Sequence, residues 1–145
     1  MRDDIQMIKE LYAAAEGDGL DVGKFVSFFS GDAYVRDIPT NMEFRGKDIA
    51  MVAGGMAQAF PDIHRELFNI YAMENVIVVE LAIRGTHKGA LVTPNGPIAP
   101  TERTIDVPCC DVFHLRDGKV VSFHCYNAAS ILQRQLGLAG SDTAA

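Results

Sequence analysis

Cys109-Cys110-Asp111-Val112-Phe113-His114-Leu115-Arg116-Asp117-Gly118-Lys119-Val120-Val121-Ser122-Phe123-His124-Cys125-Tyr126 decides the fold. Two runs rich in β-branched and aromatic residues flank Asp117-Gly118, and Asp-Gly is a strong hairpin signal because both central residues of the turn must reach positive φ. A two-residue turn pairs Arg116 with Lys119 and Leu115 with Val120. Carried on without interruption, that register sets Phe113 opposite Ser122, Asp111 opposite His124 and Cys109 opposite Tyr126. Side chains alternate with a period of two, so one face would hold Cys109, Asp111, Phe113, Ser122, His124 and Tyr126. The other face would hold Cys110, Val112, His114, Val121, Phe123 and Cys125. A carboxyl group and an imidazole then meet across the hairpin, either as an acid/base dyad or as a cross-strand ion pair satisfying two half-buried groups. The pairing depends on register; a three-residue turn with a bulge would bring Phe123 opposite Asp111 instead.

Outward from this hairpin, the 145 residues suit one domain, residues 1–139, with an unstructured tail at 140–145. The chain is 48% hydrophobic yet has no apolar run long enough to span a bilayer, so no membrane segment is expected. A formal net charge of −6 and the lack of a Lys/Arg cluster argue against nucleic acid as a partner. Asp3 and Asp4 stand where a signal peptide would be basic, which points to the cytoplasm. Three cysteines are an odd number and make no disulfide framework, and no further ligand cluster accompanies them. They read as packed thiols, with no metal and no cofactor implied.

Ile5, Ile8, Leu11, Tyr12 and Ala15 recur at helical spacing after Asp3 and Asp4, and Val22, Phe25, Val26 and Phe29 repeat the pattern after Asp21. Residues 33–38 alternate, with Ala33, Val35 and Asp37 on the smaller, more apolar face. Asp37 there is either an end-of-strand group turned to solvent or a group drawn into a pocket. Ile49, Val52, Ala53, Met56, Ala57 and Phe60 follow the helical template throughout. Strands follow over about 65–73 and 76–87, joined at Glu74-Asn75. Residues 88–104, rich in Pro and Gly, read as a loop that closes over a binding site. The last helix covers about 128–138. Three helices followed by long antiparallel strands indicate an α+β domain whose helices cover one face of a curved sheet.

Gly85-Thr86-His87-Lys88-Gly89, Pro100-Thr101-Glu102-Arg103, Arg116-Asp117-Gly118-Lys119-Val120 and Gln135-Leu136-Gly137 resemble the recurring pattern of the SnoaL-like polyketide cyclase family. This is a branch of the nuclear-transport-factor-2-like superfamily, which also includes ketosteroid isomerase and limonene epoxide hydrolase. The likeness runs from about Ile5 to Leu138 and implies a conical barrel, a curved antiparallel sheet covered by N-terminal helices. Where the cyclase branch often places Arg, Tyr and Asp at the end of the last strand, this chain has His124, Tyr126 and Ala128, so the carboxylate of that branch is missing. Against ketosteroid isomerase, Asp111 falls at the protonated Asp of the oxyanion hole and Asp37 near the general base. Tyr12 lies within one residue of the hydrogen-bonding Tyr.

The resemblance thus implies a cofactor-independent enzyme of cyclase or isomerase type, working by acid/base catalysis on a hydrophobic carbonyl-bearing or polycyclic substrate. Asp111, His124, Asp37 and Tyr12 are the candidate catalytic residues. His87, Phe25, Phe60, Phe113 and Tyr126 are the candidates for substrate contact, although His87 would equally anchor a loop, and Tyr12 and the Phe set would equally pack the core. Other readings stay open: a non-catalytic binder of small hydrophobic molecules, an epoxide hydrolase or dehydratase, or a dimerisation domain. The apolar second face of the hairpin suggests a homodimer packed sheet against sheet.

Overall fold

The computed structural model describes residues 2–138. Helix α1 (Arg2–Ala13) is followed by α2 (Val22–Ser27), strands β1 (Phe29–Asp37) and β2 (Met42–Arg45), a 3-10 turn (Gly46–Ile49) and helix α3 (Ala50–Ala59). Strands β3 (His64–Met73), β4 (Val76–Thr86), β5 (Leu91–Thr93), β6 (Gly96–Ile98), β7 (Thr104–Arg116) and β8 (Lys119–Asn127) precede α4 (Ala129–Gln135). Six strands form one curved sheet in the order β2-β1-β8-β7-β4-β3, and β5 and β6 make a separate hairpin. Every pair in the large sheet is antiparallel except β1 and β8, which run parallel. The mixed α+β class is thus as the sequence implies. The β5–β6 hairpin and the short β2 fall in stretches with no clear alternation, and the tail at 140–145 lies outside the described residues.

The amphipathic stripes account for the layering. Ile8, Leu11, Tyr12 and Ala15 from α1 and its last turn, Phe25 from α2, and Ala53 and Ala57 from α3 are buried against one face of the sheet. That inner face presents Ala33 and Val35 of β1, Ile77, Val79, Leu81 and Ile83 of β4, and Ile105, Val107, Cys109 and Phe113 of β7. Both the β1 and the β4 alternations therefore point as their sequences require.

The hairpin β7–β8 departs from the uninterrupted register. Its turn has two residues, Asp117 (φ 51°) and Gly118 (φ 76°), and pairs Arg116 with Lys119 and Leu115 with Val120. The next pair is His114 with Ser122, so Val121 is an extra residue, a β-bulge. Beyond it every partner moves by one: Phe113 faces Phe123, Val112 faces His124, Asp111 faces Cys125 and Cys109 faces Asn127. A one-residue slip exchanges the faces of everything downstream. Phe123 and Cys125 therefore join the inner face, while Ser122, His124 and Tyr126 turn outward.

Where α1 ends, the chain passes close against the start of β3. The Gly17 amide donates to the Ile63 carbonyl at 2.8 Å, and a Cβ at Gly17 would stand 2.2 Å from the Pro61 carbonyl oxygen. Only a residue without a side chain permits that approach. Gly17→Ala should destabilise the protein by about 1–3 kcal/mol through overpacking against backbone. Gly31→Ala, which meets nothing within 4 Å, should change stability far less. Urea denaturation of the two variants checks the contrast, and equal effects would contradict it.

Candidate functional site

Across β1, β8 and β7 the inner face of the sheet carries one row of polar groups set among apolar side chains. Asp111, in the middle of β7, points inward between Ile77 and Leu81 of β4 because its cross-strand partner there is the inward-facing Val79. Tyr12 reaches it from α1, one turn beyond Ile8, and its hydroxyl donates to Asp111 Oδ2 at 2.6 Å. Both side chains are closed from solvent, at 3% and 4% exposure. The Cys109 thiol donates to Asp111 Oδ1 at 3.2 Å and lies 3.6 Å from Cys125 Sγ. Asn127 Nδ2 donates to Cys125 Sγ at 3.3 Å and to Asp37 Oδ1 at 2.7 Å. Thr40 Oγ1 completes the row with a 2.6 Å bond to Asp37 Oδ2.

The electrostatics follow from burial. Desolvation pushes the Asp111 carboxyl above the usual carboxylate range, and the donors Tyr12 and Cys109 only partly offset it. Burial, reinforced by the neighbouring Asp111, holds the Tyr12 phenol well above its ordinary value. The Cys109 thiol is also raised, by its bond with Cys125 and then by burial. The arrangement thus favours proton-bearing groups at the closed end. Asp37 is only partly buried, at the end of the row nearer solvent.

Of the residues singled out from sequence, Tyr12, Asp111 and Asp37 share this row, and Phe113 packs edge-on against Tyr12 with ring centroids 5.8 Å apart. His124 stands elsewhere. The bulge sends it to the outer face, where Nε2 lies 2.8 Å from the Tyr34 hydroxyl, so the expected facing of Asp111 and His124 does not form. Burial, with Arg36 and His114 nearby, lowers its affinity for a proton. Tyr126 is 47% exposed on the same outer face. His87 is fully buried at the end of β4, where Nδ1 accepts from the Thr101 amide at 3.1 Å and the ring lies against Phe60. Its Nε2 has no partner among the described residues. Phe25 packs on Phe29 in the core. Asn127 and Cys125 were not legible as members of the row from sequence, because both lie past the bulge.

The surface includes two depressions beside the sheet. The larger, an open groove of about 870 Å³, crosses the outer face between Phe68, Glu80, Arg84 and Tyr126 and touches Cys109 and Asn127 where the sheet ends. A smaller one of about 290 Å³ lies beside Asp62, Arg84 and Thr104. Neither is lined by Tyr12 or Asp111. No helix among the described residues is long and apolar enough to cross a membrane.

Residues 8–123 match the family described as the SnoaL-like domain, which is most of the chain; the protein belongs to that family. No curated protein matches it significantly. Among solved structures it is similar to a Jannaschia sp. CCS1 protein classed with the SnoaL-like polyketide cyclases, at TM-score 0.79 and 15% identity over 92% of this chain and 90% of that one. AclR of Streptomyces galilaeus, classed as a hydroxylase, has TM-score 0.79 and 23% identity over 94% and 82%. A Catenulispora acidiphila DSM 44928 protein with a ketosteroid isomerase-like fold, in complex with trimethylamine, has TM-score 0.73 and 20% identity over 90% and 92%. At these identities the likeness establishes the fold.

The raised carboxyl group has a sign that can be tested. A carboxyl whose folded-state pKa lies above its unfolded value binds more protons folded than unfolded, so its contribution to stability declines as pH rises from about 4 through the folded pKa. Asp111→Asn keeps the shape and removes that titration. Between about pH 4 and 8, wild type should lose stability relative to Asp111→Asn as pH rises. Urea denaturation across that range measures the difference; a constant gap would show that Asp111 does not carry a raised pKa.

Proposed function

We propose, with membership of the SnoaL-like family as the premise, that this protein is a small-molecule enzyme of cyclase or isomerase type acting by proton transfer beside a carbonyl group. The observation that carries the reading is the Tyr12–Asp111 hydrogen bond, a phenol and a buried carboxyl of raised proton affinity held 2.6 Å apart. Proton abstraction next to a carbonyl builds negative charge on oxygen, and hydrogen-bond donors fixed in a dry site stabilise it strongly. Asp111 in its neutral form and Tyr12 are such donors. Asp37, on the same row and nearer solvent, is the group placed to take the proton. Asn127 orients it by binding Oδ1, as Thr40 does at Oδ2. A substrate would approach past Asp37 and Asn127, the half-buried end of the row, and its apolar body would rest among the core aromatics near Phe113. No metal or cofactor enters this chemistry.

Turnover of polycyclic ketones, epoxides and lactones is the test. With a substrate in hand, Asp37→Asn should lower kcat by about 10²–10⁴-fold, the usual worth of a general base. Tyr12→Phe should lower it by a similar factor, while His124→Ala should leave it nearly unchanged. Unchanged turnover in both Asp37→Asn and Tyr12→Phe would remove the row from the mechanism. A second reading, a binder without chemistry, is favoured by Ala128 standing where the cyclase branch often has Asp. It predicts measurable ligand binding with no turnover of any bound compound.

The assembly we infer is a homodimer. The outer face of the sheet leaves Phe68, Tyr71, Met73 and Tyr126 between 47% and 57% exposed, side chains that water does not favour on one continuous surface. Light scattering should give about twice the 15.8 kDa chain mass, and Tyr71→Lys with Phe68→Asp should shift it to the monomer. A wild-type monomer at micromolar concentration would contradict the inference.

A further inference from the structure

The bulge at Val121 brings Cys125 directly opposite Asp111, with Cys109 on the same face two residues earlier in β7. Cys109 Sγ, Cys125 Sγ and a carboxylate oxygen of Asp111 all lie within 4.8 Å of one another. The two sulfurs are 3.6 Å apart, and Cys109 Sγ is 3.2 Å from Asp111 Oδ1. Two thiolates each about 2.3 Å from a tetrahedral zinc ion stand about 3.8 Å apart, and a thiolate and a carboxylate oxygen about 3.5 Å apart. A disulfide would need the sulfurs at about 2.05 Å. The spacing therefore suits a shared cation better than a covalent bond.

The surroundings agree with this. Ligating carboxylates and thiolates are oriented by hydrogen bonds from neighbouring groups. Asp111 has Oδ1 turned to the sulfurs while Oδ2 is held by the Tyr12 hydroxyl, the arrangement of a monodentate ligand. Asn127 Nδ2 donates to Cys125 Sγ. Asp111 forms no ion pair with a basic side chain among the described residues, its protein donors being Tyr12 and Cys109. The groove on the outer face touches Cys109 and Asn127, which gives a small ion a route from solvent.

We propose that Cys109, Cys125 and Asp111 form a binding site for a thiophilic d10 cation, with zinc(II) the best-fitting ion and one coordination position left to water or a ligand heteroatom. On binding, the protons of both thiols leave to solvent and the cation takes their place. Occupancy engages Asp111 as a ligand and so removes it from proton chemistry, which makes the cation an inhibitor under the function proposed above. The site itself is independent of that function, because its occupancy is read without turnover.

The test uses the full reduced chain, titrated first with cobalt(II) and then with zinc(II). One equivalent of cobalt should give the thiolate-to-metal charge-transfer absorption of a tetrahedral site, and zinc should abolish it. Cys109→Ser and Cys125→Ser should each lose the band, whereas Cys110→Ser, on the opposite face, should keep it. Tyr12→Phe should weaken binding by about 10-fold, as loss of a hydrogen bond to a ligand does. Should either serine variant fail to fold, alkylation of the wild type decides: zinc must protect Cys109 and Cys125 and leave Cys110 reactive. No charge-transfer band, a band that survives in folded Cys109→Ser or Cys125→Ser, or no protection by zinc would overturn the proposal.

Discussion

One extra residue in β8 governs what the inner face can do. Without Val121 as a bulge, the strand beyond Ser122 would present His124 and Tyr126 to the helices and expel Phe123 and Cys125. With it, Phe123 packs on Phe113 at 4.3 Å between ring centroids, and the core stays apolar where the helices press on it. The same step lets the last residues of β8 address β1 and β7 together. Asn127 bonds Asp37 on one side and Cys125 on the other, so a single amide ties the two ends of the polar row.

A carboxyl group in a core is costly to ionise, and among the described residues no guanidinium or ammonium bonds to Asp111 to compensate it. Neutral donors are what the fold supplies. That choice distinguishes the site from the outer face, where Arg36 and Arg45 flank Glu43 and lie over the Tyr34 ring, and charge is balanced pairwise in contact with water. The two faces of one sheet thus use opposite means of satisfying polar groups.

The fold was largely legible because its signals are local: the stripe of α1, the alternations of β1 and β4, and Asp117-Gly118 between two β-rich runs. Asp37 and Tyr12 could be placed for the same reason, since each sits within an unbroken periodic segment. His124 could not. Its face depends on whether a residue three positions earlier is counted in the ladder, and Val120-Val121 reads as regular strand either way. Membership of Cys125 and Asn127 in the row was hidden by the same ambiguity. The β5–β6 hairpin, three residues a side, is too short for alternation to register, and β2 is identified mainly by its partner β1.

The parallel pairing of β1 with β8 carries a further consequence, for synthesis. Val35 lies beside Phe123, and Asp37 is joined to Asn127 across 90 positions. During translation the first half of the chain can form helices but has nothing on which to close its sheet, because β1 and its β2 partner wait for the strand that separates them from β7. Long-range pairing of this kind slows folding and prolongs exposure of apolar edges. The sheet must therefore stay unclosed until residues 119–127 are free to pair, and it is in that interval, rather than in the finished protein, that Val35 and Phe44 stand open to aggregation or to a chaperone.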